Sequence, residues 1–156
     1  MAPWIIKAIA ATASVVPVFI AIPFFRKNYG VDALVFMSWY FGAAAVSVAI
    51  YLAASGRGGE LVPRAPVTIA IVIIGLTLGA LANGQLFQAV IAAPNPGLPP
   101  VVYATASVFV FLLSALFAAA LPQFFAPVSA GPMHLVGIVL VLAGLFLLAG
   151  GLYQRS

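Results

Sequence analysis

PVTIAIVIIGLTLGALANGQLFQAVIAAPNPGLPP, residues 66–100, is the stretch that decides how this chain folds. It opens with an uncharged apolar run over 66–93 and closes on Pro94, Pro96, Pro99 and Pro100. A helix needs roughly 20 mostly apolar residues to cross about 30 Å of hydrocarbon, so the run is long enough to span a bilayer. Proline lacks an N–H and disfavours helical geometry in the residue before it, so the cluster ends the helix. No Lys, Arg, Asp or Glu occurs anywhere between Ala65 and Gln154. That is far too long for one helix. Pro122, Pro127 and Pro132 divide the remainder into a segment over 100–121 and another over 133–153.

Upstream, the apolar run 3–25 is closed by Arg26-Lys27-Asn28, and the run 33–54 by Ser55-Gly56-Arg57-Gly58-Gly59-Glu60. The stretch from Ser55 to Arg64 is the most polar in the chain and reads as a solvated loop. The expected fold is therefore an all-α integral membrane protein. It is a bundle of five transmembrane helices (about 3–25, 33–54, 66–93, 100–121 and 133–153) in one domain, 1–156. The segment from Pro122 to Pro132, with Gln123-Phe124-Phe125, reads either as a plain loop or as a short interfacial segment, where aromatic side chains are favoured.

Composition agrees. Of the residues, 65% are hydrophobic and 5% charged, against about 25% charged in a soluble domain with a wet surface to maintain. The natural partner of such a surface is a lipid bilayer. The net charge of +4 does not indicate a nucleic-acid partner, because the basic residues sit singly or in pairs between apolar runs. There is no cysteine, which excludes disulfides and thiolate chemistry and leaves the redox compartment open. A cleaved signal peptide is not expected, since the first apolar run exceeds the usual apolar core and Lys7 makes a poor basic leader. One histidine and two peripheral acids form no triad and no ligand cluster. The chain is read as a non-enzyme with no catalytic residue, metal or cofactor.

Polar side chains inside the apolar runs are the candidate site. In the third run, Thr77, Gly84 and Gln88 fall on one stripe at 100° per residue, with Gln85 beside it and Asn83 off it. Amides in hydrocarbon need partners or a water-lined cavity. They serve either as interhelical hydrogen bonds or as a substrate-facing wall. Tyr103, Ser107 and Ser114 share a stripe in the fourth run. Tyr40, Ala44, Ser47 and Tyr51 share one in the second, with Trp39 adjacent. These read as packing faces or as the lining of a pocket for a small, weakly polar solute. The lining residues named on this basis are Asn83, Gln85, Gln88, Tyr103, Ser107 and Tyr40. Gly75 and Gly79, with Ala80 and Gly84 following, predict a close helix–helix approach through small residues four apart. Pro17 and Pro23 predict a kink or a looser end in the first helix. Lys7 reads as a snorkelling residue and His134 as an interfacial one.

The positive-inside rule gives no orientation. With five spans, Lys7, Arg57 and Arg64 lie on one side and Arg26, Lys27 and Arg155 on the other. Either a weak signal orients the chain, or copies insert both ways and pair antiparallel.

Asn95-Pro96-Gly97-Leu98, then Ser107 and Leu112-Leu113-Ser114-Ala115-Leu116-Phe117, then the run from Gly137 to Ala149 together resemble the last two helices of an EamA-type repeat of the drug/metabolite transporter superfamily. Ser14-Val15-Val16-Pro17-Val18-Phe19 is similar to the proline-containing part of that repeat's first helix. The resemblance covers about residues 10–150, and five helices match one repeat. The charged positions of many such repeats are absent: the corresponding regions read Ile20-Ala21-Ile22, Met37-Ser38-Trp39 and Ala118-Ala119-Ala120. Their coupling or gating roles are therefore not carried over. Most full-length relatives join two repeats of inverted topology, so the resemblance implies that a single repeat pairs with an inverted second copy of itself. It implies a multi-pass transporter of a small-molecule substrate in a prokaryotic cytoplasmic (inner) membrane. The alternatives are a scaffold subunit of a larger complex and a lipid-handling flippase subunit.

Overall fold

In a computed structural model, which describes residues 2–128 and 131–153, the described chain is helical with no strand. Five rods follow one another: α1 (Pro3–Tyr29), α2 (Ala33–Ala54), α3 (Ala65–Ala92), α4 (Leu98–Ala120) and α5 (Pro132–Tyr153). The first four are long and apolar enough to cross a membrane, by length and composition. In α5, Pro132–Leu148 is an apolar helix. The chain divides into two compact units, Met1–Pro99 and Pro100–Ser156.

Helix ends follow local chemistry. α1 continues through Pro17, Pro23 and the Arg26-Lys27-Asn28 run that was expected to stop it, and ends at Gly30. Charge ends an apolar run, not a helix. What ends this helix is a left-handed residue, φ 67°, which glycine adopts without a Cβ clash. Its N–H donates to the Arg26 carbonyl. The carboxylate of Asp32 caps α2, with Oδ1 accepting from the Leu34 N–H at 2.8 Å. Pro66 sits in the first turn of α3, where its missing N–H costs nothing, and extended Ala93 before Pro94 closes that helix.

Between α2 and α3 the chain forms one 3₁₀ turn, Gly58–Leu61, folded back on the end of α2. Arg57 and Glu60 clasp it with a two-pronged ion pair, Nε donating to Oε1 at 2.9 Å and Nη2 to Oε2 at 2.5 Å. The guanidinium holds the Glu60 carboxyl below the usual carboxylate range, and the carboxylate raises Arg57 in turn. Both side chains are exposed.

In the first unit α3 packs against both α1 and α2. The core is Ile22 from late α1, Ala33 from the start of α2, and Leu86, Phe87 and Val90 from late α3. Phe19, Phe36, Met37, Tyr40 and Ile91 pack around it. All of these lie where α1 ends, α2 begins and α3 ends. Arg26, Lys27 and Asp32 belong to this end, and the Arg57–Glu60 loop to the other, as the arrangement of runs in sequence implies. Arg155, also in that count, lies outside the described residues.

Two expectations about α3 are corrected. Of the small residues expected to bring helices together, Gly75 and Gly79 do not do so within the first unit. A Cβ at Gly75 would meet nothing within 4 Å, and one at Gly79 would meet only the Ile74 carbonyl of its own helix. The close approach is at Gly84, where a Cβ would lie 3.4 Å from Leu34 Cδ2. Secondly, α3 is not a uniform α-helix: Gly75–Gly79 is a π turn. A π turn accommodates one extra residue, which rotates the residues before it by about 100° relative to those after it. The turn takes Thr77 off the stripe of Gly84 and Gln88, and along the regular helix after it Gly84 is buried while Gln88, nearer the helix end, is exposed. Side chains occupy carbonyls around the widened turn, Thr77 Oγ1 donating to Ile73 O at 2.7 Å and Asn83 Nδ2 to Gly79 O at 2.9 Å.

In the second unit, α4 is interrupted at Thr105, whose hydroxyl donates to the Val102 carbonyl at 2.7 Å. After α4 the chain turns, and the Phe125 ring comes back to Phe117, 5.2 Å between centroids. His134, in the first turn of α5, stacks on Phe111 at 5.8 Å. Its Nδ1 accepts from the Gly131 N–H at 3.1 Å, which places the proton of the neutral ring on Nε2.

Candidate functional site

The polar candidates of α2 and α3 go to four different environments. Asn83 is half-buried and faces a groove between these helices, a cavity of about 310 Å³ walled by Met37, Ser38 and Phe41 on one side and by Gly75, Gly79 and Ala80 on the other. The groove exists because the π turn and the two glycines leave α3 without side-chain bulk opposite Phe41. Its polar groups are largely committed inward, since the Asn83 amide donates to Gly79 O and Ser38 Oγ donates to Leu34 O at 2.9 Å. The Asn83 amide oxygen remains to accept from a solute, a water or a second chain.

Gln88, one turn further on, is exposed and lines a smaller opening of about 190 Å³ with Arg26, Asp32, Ala33 and Ile91. Gln85 is exposed and lines neither opening. Tyr40 lines neither as well: its ring is part of an aromatic cluster, 6.3 Å from Phe36, 5.1 Å from Phe41 and 6.2 Å from Phe87. It packs against the core, so its aromatic face is used for cohesion.

Tyr103 and Ser107 belong to the second unit. Tyr103 is exposed, and Ser107 Oγ donates to Ala104 O at 2.6 Å. Ser107 lines a cavity of about 350 Å³ with Phe111, His134 and Gly137.

Several lining residues were not among those named from sequence. Ser38 and Met37 were hidden because an apolar α2 gives no hint of which face meets α3. Arg26 reads as part of a helix-terminating run and Asp32 as no site residue, and only the return of α3 sets them beside Gln88. His134 was read as interfacial, and the structure adds Phe111 and Ser107 beside it.

Among the described residues no group of three His, Cys, Asp or Glu side chains could hold a metal, and no buried side-chain polar atom lacks a partner. What the fold defines is an all-helical chain, four of whose helices are long and apolar enough for a membrane, with polar openings in both units. Compared with known proteins, no family model, no curated protein and no solved structure matches it.

Proposed function

We propose that this chain is a multi-pass membrane protein of a prokaryotic inner membrane. In this reading it carries a small solute across by alternating access, paired with an inverted second copy of itself. The observation that carries the reading is the α2–α3 groove. It is a cavity of about 310 Å³ with one amide and one hydroxyl in an otherwise apolar wall, set at a π turn and two glycines. Such turns occur frequently at functional sites. The resemblance to a single EamA-type repeat and the three-against-three balance of basic residues support inverted pairing. Because the groove has no charged wall, its solute is neutral, zwitterionic or lipid-like.

Orientation and transport test this directly. The chain has no cysteine, so Ser55→Cys adds a single label site in the α2–α3 loop. Labelling with an impermeant reagent on intact cells is expected to reach about half of the copies, and the rest only after permeabilisation. Labelling from one side only ends the antiparallel homodimer. Transport in proteoliposomes is expected to be lost in Asn83→Leu and Gln88→Leu with folding retained, and unchanged transport in both removes these residues from the path. The scaffold alternative rests on how few hydrophobic side chains the chain buries. Co-purification with one stoichiometric partner of different sequence would favour it.

A further inference from the structure

We propose that Arg26, Asp32 and Gln88 form a binding site for a zwitterionic group, a primary ammonium joined by a short linker to an oxyanion, as in phosphoethanolamine. The proposal deepens the transport reading by naming a substrate class, and rests on it for Gln88 as a solute-facing residue.

The site is built from three helix ends. Arg26 stands in the last turn of α1, Asp32 caps α2, and Gln88 lies in the last turns of α3. Together with Ala33 and Ile91 they surround one opening of about 190 Å³. At about 30 Å³ per water, that is space for roughly six waters, a headgroup rather than a whole amphiphile.

Both signs of charge border this opening, yet they do not join. The ion pair formed among the described residues is Arg57–Glu60, at the loop between α2 and α3. There, base and acid three residues apart close on each other. Arg26 and Asp32 make no such pair, although both face the same cavity. Asp32 uses Oδ1 for the Leu34 N–H, which leaves Oδ2 to accept from a ligand.

Charge complementarity then selects the ligand. An anion drawn to the guanidinium meets the Asp32 carboxylate, and a cation drawn to Asp32 meets Arg26. Arg26 and Asp32 are both exposed, so either ion is attracted by one charge of the opening and repelled by the other. A ligand with an oxyanion at one end and an ammonium at the other satisfies both. The planar guanidinium offers a forked donor to a phosphate or carboxylate. The Gln88 carboxamide, both donor and acceptor, can serve either end.

The same group can reach the site as a free solute or as the headgroup of a phospholipid. The experiment measures binding to the full chain in detergent by titration calorimetry. Its probes are phosphoethanolamine, short-chain phosphatidylethanolamine, and short-chain phosphatidylglycerol, which keeps the phosphate and lacks the amine. The expected result is that at least one ethanolamine probe binds at least about tenfold more tightly than phosphatidylglycerol, a difference of about 1.4 kcal/mol. Preference for the free probe or for the lipid decides the source. Asp32→Asn is expected to abolish that discrimination while leaving the fold intact, since asparagine caps a helix as well as aspartate does. Arg26→Gln is expected to weaken the oxyanion-bearing probes alike. Binding of neither ethanolamine probe more tightly than phosphatidylglycerol overturns the proposal, as does unchanged discrimination in Asp32→Asn with its helix content retained, or no binding of any probe. Binding in detergent needs no transport, so a site that binds in a protein that does not transport separates this proposal from the one above.

Discussion

The two ends of the first unit are made of much the same apolar residues and pack very differently. Where α1 ends and α2 begins, Ile22, Ala33, Phe87 and Val90 keep 1–3% of their surface exposed. Toward the opposite end of the same helices, Ile9, Ile50 and Ile71 keep 57–63%. Hydrophobicity cannot be the cause, because it is as high where the helices separate as where they meet. The packed end has complementary shapes: Gly84 admits Leu34, and Phe36, Tyr40 and Phe87 bring their rings within about 6 Å of one another. The open end leaves Ile9, Val46, Ile50, Val67 and Ile71 exposed, and Gly75 and Gly79 remove bulk from α3 at its π turn. In an apolar surrounding, helices are held by close packing and not by apolar burial as such. Close packing is what distinguishes the two ends.

The largest expected effect breaks the comparison at its centre. Phe87→Ala opens a cavity among Ile22, Phe36 and Tyr40 and is expected to cost about 3–5 kcal/mol. Ile71→Ala on the open face is expected to stay within about 0.5 kcal/mol. Thermal unfolding of both variants in detergent decides this, and equal losses would mean that another element covers Ile71.

A medium effect sharpens the contrast between glycines. Gly84→Ile drives branched carbons into Leu34 and is expected to destabilise by about 1–3 kcal/mol. Gly75→Ala, with open space around the added carbon, is expected to stabilise by up to about 1 kcal/mol through helix propensity. The same unfolding assay reads both. If Gly75→Ala lowers stability and the mass of the detergent-solubilised species together, the glycine face is occupied by a second copy.

The smallest effect lies in the loop between α2 and α3. The Glu60 pKa is depressed by Arg57, so the contribution of the pair is present above the ordinary carboxylate range. It is lost as pH falls through the depressed value. Because both side chains are exposed, salt should screen it. Carboxyl NMR is expected to show the Glu60 midpoint moving up toward the usual range in Arg57→Gln, and an unmoved midpoint would break the pair.

Much of the fold was legible because its signals are local. Pro94, Pro96, Pro99 and Pro100 had to end a helix wherever they stood. Helix ends expected at 25, 54, 93, 121 and 153 are observed at Tyr29, Ala54, Ala92, Ala120 and Tyr153. The largest difference, at α1, arose because Arg26 and Lys27 tolerate a helix and Gly30 does not continue one. The candidate site was legible only as a set of residue types. Tyr40 went to the aromatic cluster, Asn83 to the groove, Gln88 to the helix-end opening and Gln85 to the surface, with Tyr103 and Ser107 in the second unit. An apolar helix with no polar face carries no periodic mark of which side meets a neighbour.

The sequence by itself determined that the chain is helical, where its helices start and stop, and that their surfaces suit lipid more than water. These follow from backbone geometry and composition, which act within a few residues. Only the tertiary structure decided that the close approach is at Gly84 and not at Gly75 or Gly79, that α3 carries a π turn, and that Arg26, Asp32 and Gln88 border one opening. The close approach and the shared opening depend on side chains 50 or more residues apart, and shape complementarity between distant segments leaves no trace in either one alone.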